Sequence, residues 1–118
     1  MAGREQIKVL FACSYGVDSS KAKRQFLEFL ARKKEERIEV DQTPVSSRVI
    51  DPHDAVTKVL NHDHVVVMSG TDHAFDFHDI TRGTGTCVHI LQRSELRKEK
   101  PDWCERLLPQ LLIRSRHD

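Results

Sequence analysis

The chain has 118 residues, 31% of them charged and 38% hydrophobic, with a formal net charge of +1. That length fits one layered core without room for a second, so residues 1–118 are read as a single domain. The near-neutral balance excludes the strong field that steers nucleic acid or an acidic membrane surface, and no apolar run is long enough to span a bilayer. No signal-peptide pattern opens the sequence. Cys13, Cys87 and Cys104 stand in unrelated contexts and form neither a disulfide framework nor a C-x-x-C metal site, which makes the reducing cytoplasm the expected compartment. A mean hydropathy of −0.52 is polar for so small a domain and leaves a protein partner or a second copy to complete the core.

Strand and helix signals alternate along the chain. IKVLFA (Ile7–Ala12) is apolar at nearly every position, as a strand buried on both faces must be. SSKAKRQFLEFLARKK follows as a helix, with Ala22, Phe26, Leu27 and Leu30 at helical spacing and Phe29 widening the stripe. Ser19 or Ser20 is the expected N-cap, and the basic run Arg32–Lys34 suits the C-terminal end of the dipole. RIEV (Arg37–Val40) is a short second strand, and QTPVSSRVI reads as a loop. Asp51-Pro52 combines an N-cap with a proline at the first helical position, ahead of a stripe of Ala55, Val56, Val59 and Leu60.

HVVVM (His64–Met68) is the clearest strand, ended by Ser69-Gly70-Thr71. DHAFDFHDITRGTGT reads as a short helix followed by a Gly/Thr loop, and CVHIL (Cys87–Leu91) as the fourth strand. RSELRKEK is a charged turn. Pro101-Asp102 opens a last helix that turns Trp103, Leu107, Leu108, Leu111 and Leu112 to the sheet, with Pro109 expected to kink it or end its first half. Right-handed crossovers applied to this order give an α/β fold: a small, doubly wound, four-stranded parallel sheet with helices on both faces. Ligands on such sheets bind beyond the carboxyl ends of the strands. The first such end is Cys13, the third Ser69-Gly70-Thr71, and the fourth leads into Gln92–Glu95.

The loop CSYGVDSS therefore draws the chemistry. Backbone N–H groups of a tight loop and a helix N-terminus converge on an anion, and the same field favours a thiolate. Cys13 is placed to be the nucleophile or phosphoryl acceptor. Gly16 lets the loop turn, Ser14, Ser19 and Ser20 add hydroxyls, and Tyr15, Val17 and Asp18 complete the anion-binding segment. Asp18 works the other way, because a carboxylate repels a bound dianion and raises a thiol pKa. A buried, inert cysteine would suit the same position.

The layout resembles the low-molecular-weight protein tyrosine phosphatase superfamily, in which a first strand leads through a C-x5-R-S loop into a helix on a four-stranded parallel sheet. Cys13 matches the nucleophile and Ser20 the trailing serine; Ser19 stands where the arginine should be. The likeness extends to a small predicted bacterial branch, in which a VVM strand is followed by a histidine, as in His64–His73, and a strand runs into an acidic loop and an LL helix, as in CVHILQRSELRKEKPDWCERLLPQLL. It covers most of the chain in spacing, with few identities.

The family's general acid is an aspartate after the fourth strand, where only Glu95 lies. One electrostatic donor of the kind the arginine supplies is worth roughly 3–4 kcal/mol in the transition state. The resemblance thus implies a divergent pseudoenzyme with little or no hydrolysis, binding phosphate, another small anion or a protein partner at the Cys13 loop. Alternatively, Arg82 from a neighbouring strand end and Glu95 rescue a true phosphatase.

The same stretch is similar to the phosphocysteine loop C-x-x-G-x-x-[ST]-S of sugar phosphotransferase IIB components, through Cys13, Gly16, Ser19 and Ser20. That likeness implies phosphoryl relay, which needs no arginine. Elsewhere, His62-Asp63-His64, His73 and His78 offer a metal-ligand palette without a recognised metal spacing, so neither a metal nor a cofactor is expected. Gly83 and Gly85 suit a flexible loop. Arg32-Lys33-Lys34, Arg97-Lys98 and Lys100 are interrupted by Glu35, Glu36 and Glu99 and read as solvated helix ends.

Overall fold

The computed structural model describes residues 6–71 and 75–113. Its strands are β1 (Ile7–Cys13), β2 (Ile38–Pro44), β3 (His64–Met68) and β4 (Cys87–Leu91), all parallel in one sheet of order β2-β1-β3-β4. The helices are α1 (Val17–Lys33), α2 (Pro52–Leu60), α3 (Phe77–Thr81) and α4 (Trp103–Ile113), with a 3-10 turn at Arg93–Arg97. The α/β class and the alternation of strands and helices are as the sequence predicts. Among the described residues no helix is long and apolar enough to cross a membrane.

β1 is sealed on both sides by partner strands, running from Ile7↔Ile38 to Cys13↔Pro44 against β2 and from Val9↔His64 to Ala12↔Val67 against β3. Val9 to Ala12 are all at most 1% exposed. That explains the unbroken apolar run: side chains alternate between faces, and both faces are covered. Val9, Phe11 and Cys13 pack under α1 and α4 with Ala22, Phe26, Trp103 and Leu107. Leu10 and Ala12 pack on the opposite face with Ala55 and Val59 of α2 and Phe77 of α3.

An aromatic knot centres the first layer. Phe11 meets Phe26 and Trp103 edge-on, each at a ring separation of 5.7 Å, and Phe26 stacks on Trp103 at 5.8 Å. The buried indole N–H of Trp103 donates to Gln25 Oε1 at 2.8 Å, while Gln25 Nε2 donates to the Leu96 carbonyl at 3.0 Å. One glutamine on α1 therefore ties α4 to the 3-10 turn.

Three expectations need correcting. β2 extends through Gln42, Thr43 and Pro44 instead of stopping at Val40, because β1 offers it seven residues of ladder. Pro44 is tolerated there: the neighbouring Val45 amide donates inward to Cys13 O at 2.9 Å, so the donor that Pro44 lacks falls on the open edge. α1 begins at Val17 with Gly16 as N-cap, ahead of both serines. Leu27 is exposed, leaving Phe29 to complete the apolar stripe. Of the two outcomes expected of Pro109, a kink or an end, the structure excludes the end, since α4 runs on to Ile113. As predicted, Asp51 caps α2 by accepting from His53 N at 2.8 Å, ahead of Pro52.

Phe26 has no exposed surface and touches three other rings, so truncation leaves a cavity the sheet cannot close. Phe26→Ala is expected to lower unfolding free energy by about 3–5 kcal/mol. Urea denaturation followed by Trp103 fluorescence checks this; a loss well under 1 kcal/mol would contradict the packing.

Candidate functional site: the Cys13 loop

β1 delivers Cys13 to the carboxyl edge of the sheet, 3% exposed. The chain then turns through Ser14 and Tyr15 to Gly16, whose φ of 95° lies in the left-handed region. This conformation aims the opening turn of α1 back at the cysteine. Gly16 N donates to Cys13 Sγ at 3.1 Å and Ser19 N at 3.2 Å. Gly16 is the N-cap and Ser19 the third helical residue, so the sulfur satisfies donors that a capping side chain would otherwise take. The fold delivers the positive end of a 17-residue helix to a thiol.

Ser19 completes the sulfur's surroundings. Fully buried, its Oγ lies 3.2 Å from Cys13 Sγ and 3.0 Å from Gln42 Oε1 on β2. With the thiol protonated, S–H donates to the hydroxyl and the hydroxyl donates to Gln42. With sulfur as a thiolate, the hydroxyl would turn its proton to sulfur, and a half-turn of the Gln42 amide would supply Nε2 as donor to Ser19. The relay accommodates either charge on sulfur.

The other predicted loop residues fall around this centre. Ser14 is buried, and its carbonyl accepts from Ser46 N at 3.0 Å, fixing the loop to the residues after β2. Tyr15 and Val17 are exposed, and Ser20 faces solvent on the next turn. Tyr15, Gly16, Ser20, Gln42 and Arg24 line a shallow depression on the β2 side. Asp18 turns away along the opposite flank, where its Oδ2 lies 3.1 Å from Arg93 Nε. The backbone of Arg93 is held in turn by Ser69 Oγ, which accepts from Arg93 N at 3.1 Å.

The cation that meets the loop's Asp18 is thus Arg93, and Arg82 lies elsewhere. Arg82 caps α3, is 80% exposed in its side chain and lies 3.8 Å from Asp79. The chain beyond it leads to Cys87, which pairs with His64 at the start of β3, the sheet edge opposite Cys13. Glu95 lies on the 3-10 turn and accepts from Arg106 at 3.0 Å, with Lys98 Nζ 3.2 Å away. The Arg106 hydrogen bond, then that of Lys98, holds its carboxyl below the usual range, so it is ionised at neutral pH and has no proton to give. Gln42 and Arg93 are site residues that sequence reasoning missed. Strand register alone reveals the first; the second stands in the Gln92–Glu95 segment already marked as a strand end.

The histidines are dispersed. His62 bridges Lys58 O at 2.6 Å and Asp41 Oδ2 at 2.9 Å, while His64 Nδ1 meets His89 Nε2 at 3.0 Å. Asp63 accepts from Lys8 N at 2.8 Å, and His78 is exposed on α3. His73 lies outside the described residues. Among the described residues no three His, Cys, Asp or Glu side chains gather as metal ligands. No family model matches this chain, and no curated protein does. The resemblance to the two phosphate-handling families accordingly extends, on these observations, to the four-stranded parallel α/β fold.

Two measurements probe this geometry. At Gly16 an added Cβ would find ordinary space, 3.8 Å from Gln42 Oε1, so Gly16→Ala suffers only from its φ. It is expected to cost about 1–2 kcal/mol in urea denaturation, and a neutral result would contradict the left-handed cap. Burial pushes the Cys104 thiol from 9.0 up to about 12. Between those values the unfolded chain ionises while the folded one keeps its proton. The Cys104 contribution to stability is thus full below pH 9.0 and lost as pH rises toward about 12. At pH 8.5, roughly half a unit below the unperturbed thiol, iodoacetamide should leave Cys104 unlabelled in native protein and label it in urea, read by peptide mass.

Proposed function

We propose that the Cys13 loop binds a phosphate-sized oxyanion at a thiol without hydrolysing its ester, as a divergent relative of low-molecular-weight protein tyrosine phosphatases. The observation that carries this reading is the convergence of the Gly16 and Ser19 amides on Cys13 Sγ at the N-terminus of α1. Donors fixed in that way would hold an oxyanion brought against the sulfur. Hydrolysis is disfavoured by the chemistry of the neighbours. The segment 13–20 contains no arginine, and Glu95 is ionised by Arg106 and Lys98. Exposed Tyr15 and Val17 form the apolar rim that a protein partner bringing or reading the anion would touch.

A second reading is a phosphocysteine carrier, and the Ser19 hydroxyl 3.2 Å from sulfur favours it. In that reading the thiolate attacks phosphorus, the S–P bond forms, and the donor's bond to phosphorus breaks with its electron pair returning to the donor. The same steps in reverse hand the group to an acceptor. Ser19 and the loop amides hold the phosphoryl oxygens, and the missing arginine is no loss because water is not to be activated.

Hydrolysis of an aryl phosphate by wild-type protein and Cys13→Ser tests the first reading. Both are expected to show the same background rate. Millimolar phosphate, on the order of the loop's expected weak affinity, should slow alkylation of Cys13 in the wild type. Turnover abolished by Cys13→Ser would overturn the non-hydrolytic reading. A phosphoryl adduct located on Cys13 by peptide mass after incubation with a phosphorylated donor protein would select the carrier.

A further inference from the structure

Asp18 and Arg93 are drawn together from different parts of the fold. Asp18 is the second residue of α1, between the two amides that hold the sulfur. Arg93 opens the 3-10 turn after β4, its backbone fixed by Ser69 at the end of β3. Ser69 is fixed in turn by its own amide, which donates to Leu91 O at 2.8 Å. The ends of β1, β3 and β4 therefore meet at this ion pair. The pair itself is poorly made. Arg93 Nε lies 3.1 Å from Asp18 Oδ2, yet that nitrogen is buried and has no aligned hydrogen-bond acceptor. The side chains remain 39% and 30% exposed. A guanidinium held to a carboxylate off-axis is one that a better-shaped acceptor can take, and phosphate accepts the guanidinium fork with two parallel bonds.

We propose that Asp18 is an internal counter-ion that occupies Arg93 until a doubly charged oxyanion arrives, and that Arg93 is the specificity-determining cation of the Cys13 loop. This rests on the reading of that loop as an oxyanion site. The ligand class it selects is a phosphate or phosphomonoester dianion, whose second charge is what outcompetes a carboxylate for the guanidinium. A singly charged anion has no such advantage over a carboxylate, so Asp18 keeps the guanidinium against it. Arg93 supplies, from the far side of the sheet's carboxyl edge, the positive charge that the loop sequence lacks. Arg24, beside the β2-side depression, is the rival cation, exposed on α1.

The test is titration of the whole protein with inorganic phosphate at low salt, read by calorimetry. It covers wild type, Asp18→Asn, Arg93→Gln, Arg93→Lys, Arg24→Gln and Asp18→Asn/Arg93→Gln, with circular dichroism to confirm folding. Asp18→Asn is expected to bind phosphate about tenfold more tightly and Arg93→Gln about tenfold more weakly, with Arg93→Lys between them, as for one ion pair gained or lost. In the double variant the gain from Asp18→Asn should shrink well below tenfold, because the carboxylate no longer has a guanidinium to occupy. Binding by wild type that neither single variant alters overturns the counter-ion role and leaves the oxyanion site standing. Loss in Arg24→Gln with none in Arg93→Gln assigns the cation to Arg24 and overturns the proposal likewise. No phosphate binding by either wild type or Asp18→Asn overturns the oxyanion site, and the counter-ion role with it.

Discussion

A strand buried on both faces has to hand its chain to the helix that covers it, and in this protein the handover is closed by one sulfur atom. Cys13 Sγ accepts from Gly16 N and Ser19 N, two donors that the start of α1 would otherwise leave unsatisfied next to the core. The position of α1 follows from that contact, and with it the placing of Phe26 over Phe11 and Trp103. Gly16 is what permits the contact, since only a left-handed backbone there brings the helix round tightly enough. Structural need and chemical opportunity coincide at Cys13: the donors that cap the helix are the donors that would hold an anion.

The charges around this centre are arranged in two separate groups. Asp18 faces Arg93, and Glu95 is taken by Arg106 and Lys98. Neither carboxylate is aimed at the sulfur as a proton donor, and none of the three cations comes from the loop itself. That division leaves a thiol surrounded by fixed dipoles and a hydroxyl, with formal charge kept to the flanks. On the proposed reading, that division would favour holding or transferring a phosphoryl group over cleaving an ester, where an acid must protonate the leaving oxygen.

Much of the fold was legible because its signals are local. The runs at Val9–Ala12 and His64–Met68 are apolar at nearly every position because the strands are covered on both faces, and Asp51-Pro52 caps its helix as its chemistry requires. The misread positions depend on distant partners. Gln42-Thr43-Pro44 carries loop chemistry but lies in β2 because β1 continues alongside it. Ser19 has the side chain of an N-cap, yet a cysteine six residues earlier satisfies its amide, so the helix opens at Val17 instead. At the site, Cys13, Gly16 and Ser19 could be picked from spacing alone. Gln42 and Arg93 could not, since they reach the loop from β2 and from beyond β4, and no spacing rule joins residues so far apart in the chain.

Pro44 has an effect beyond ending β2. It lies on a strand at the border of the sheet, and the N–H it lacks would have pointed outward to open solvent. A second chain laying its own strand along that border would therefore find a gap in the row of donors just beside the Cys13 loop. Glu39 and Asp41 on the same strand would add charge to the encounter. The border next to the thiol is thus guarded against fibre-like stacking, and a buried thiol can sit close to a sheet edge without that edge becoming a template for aggregation.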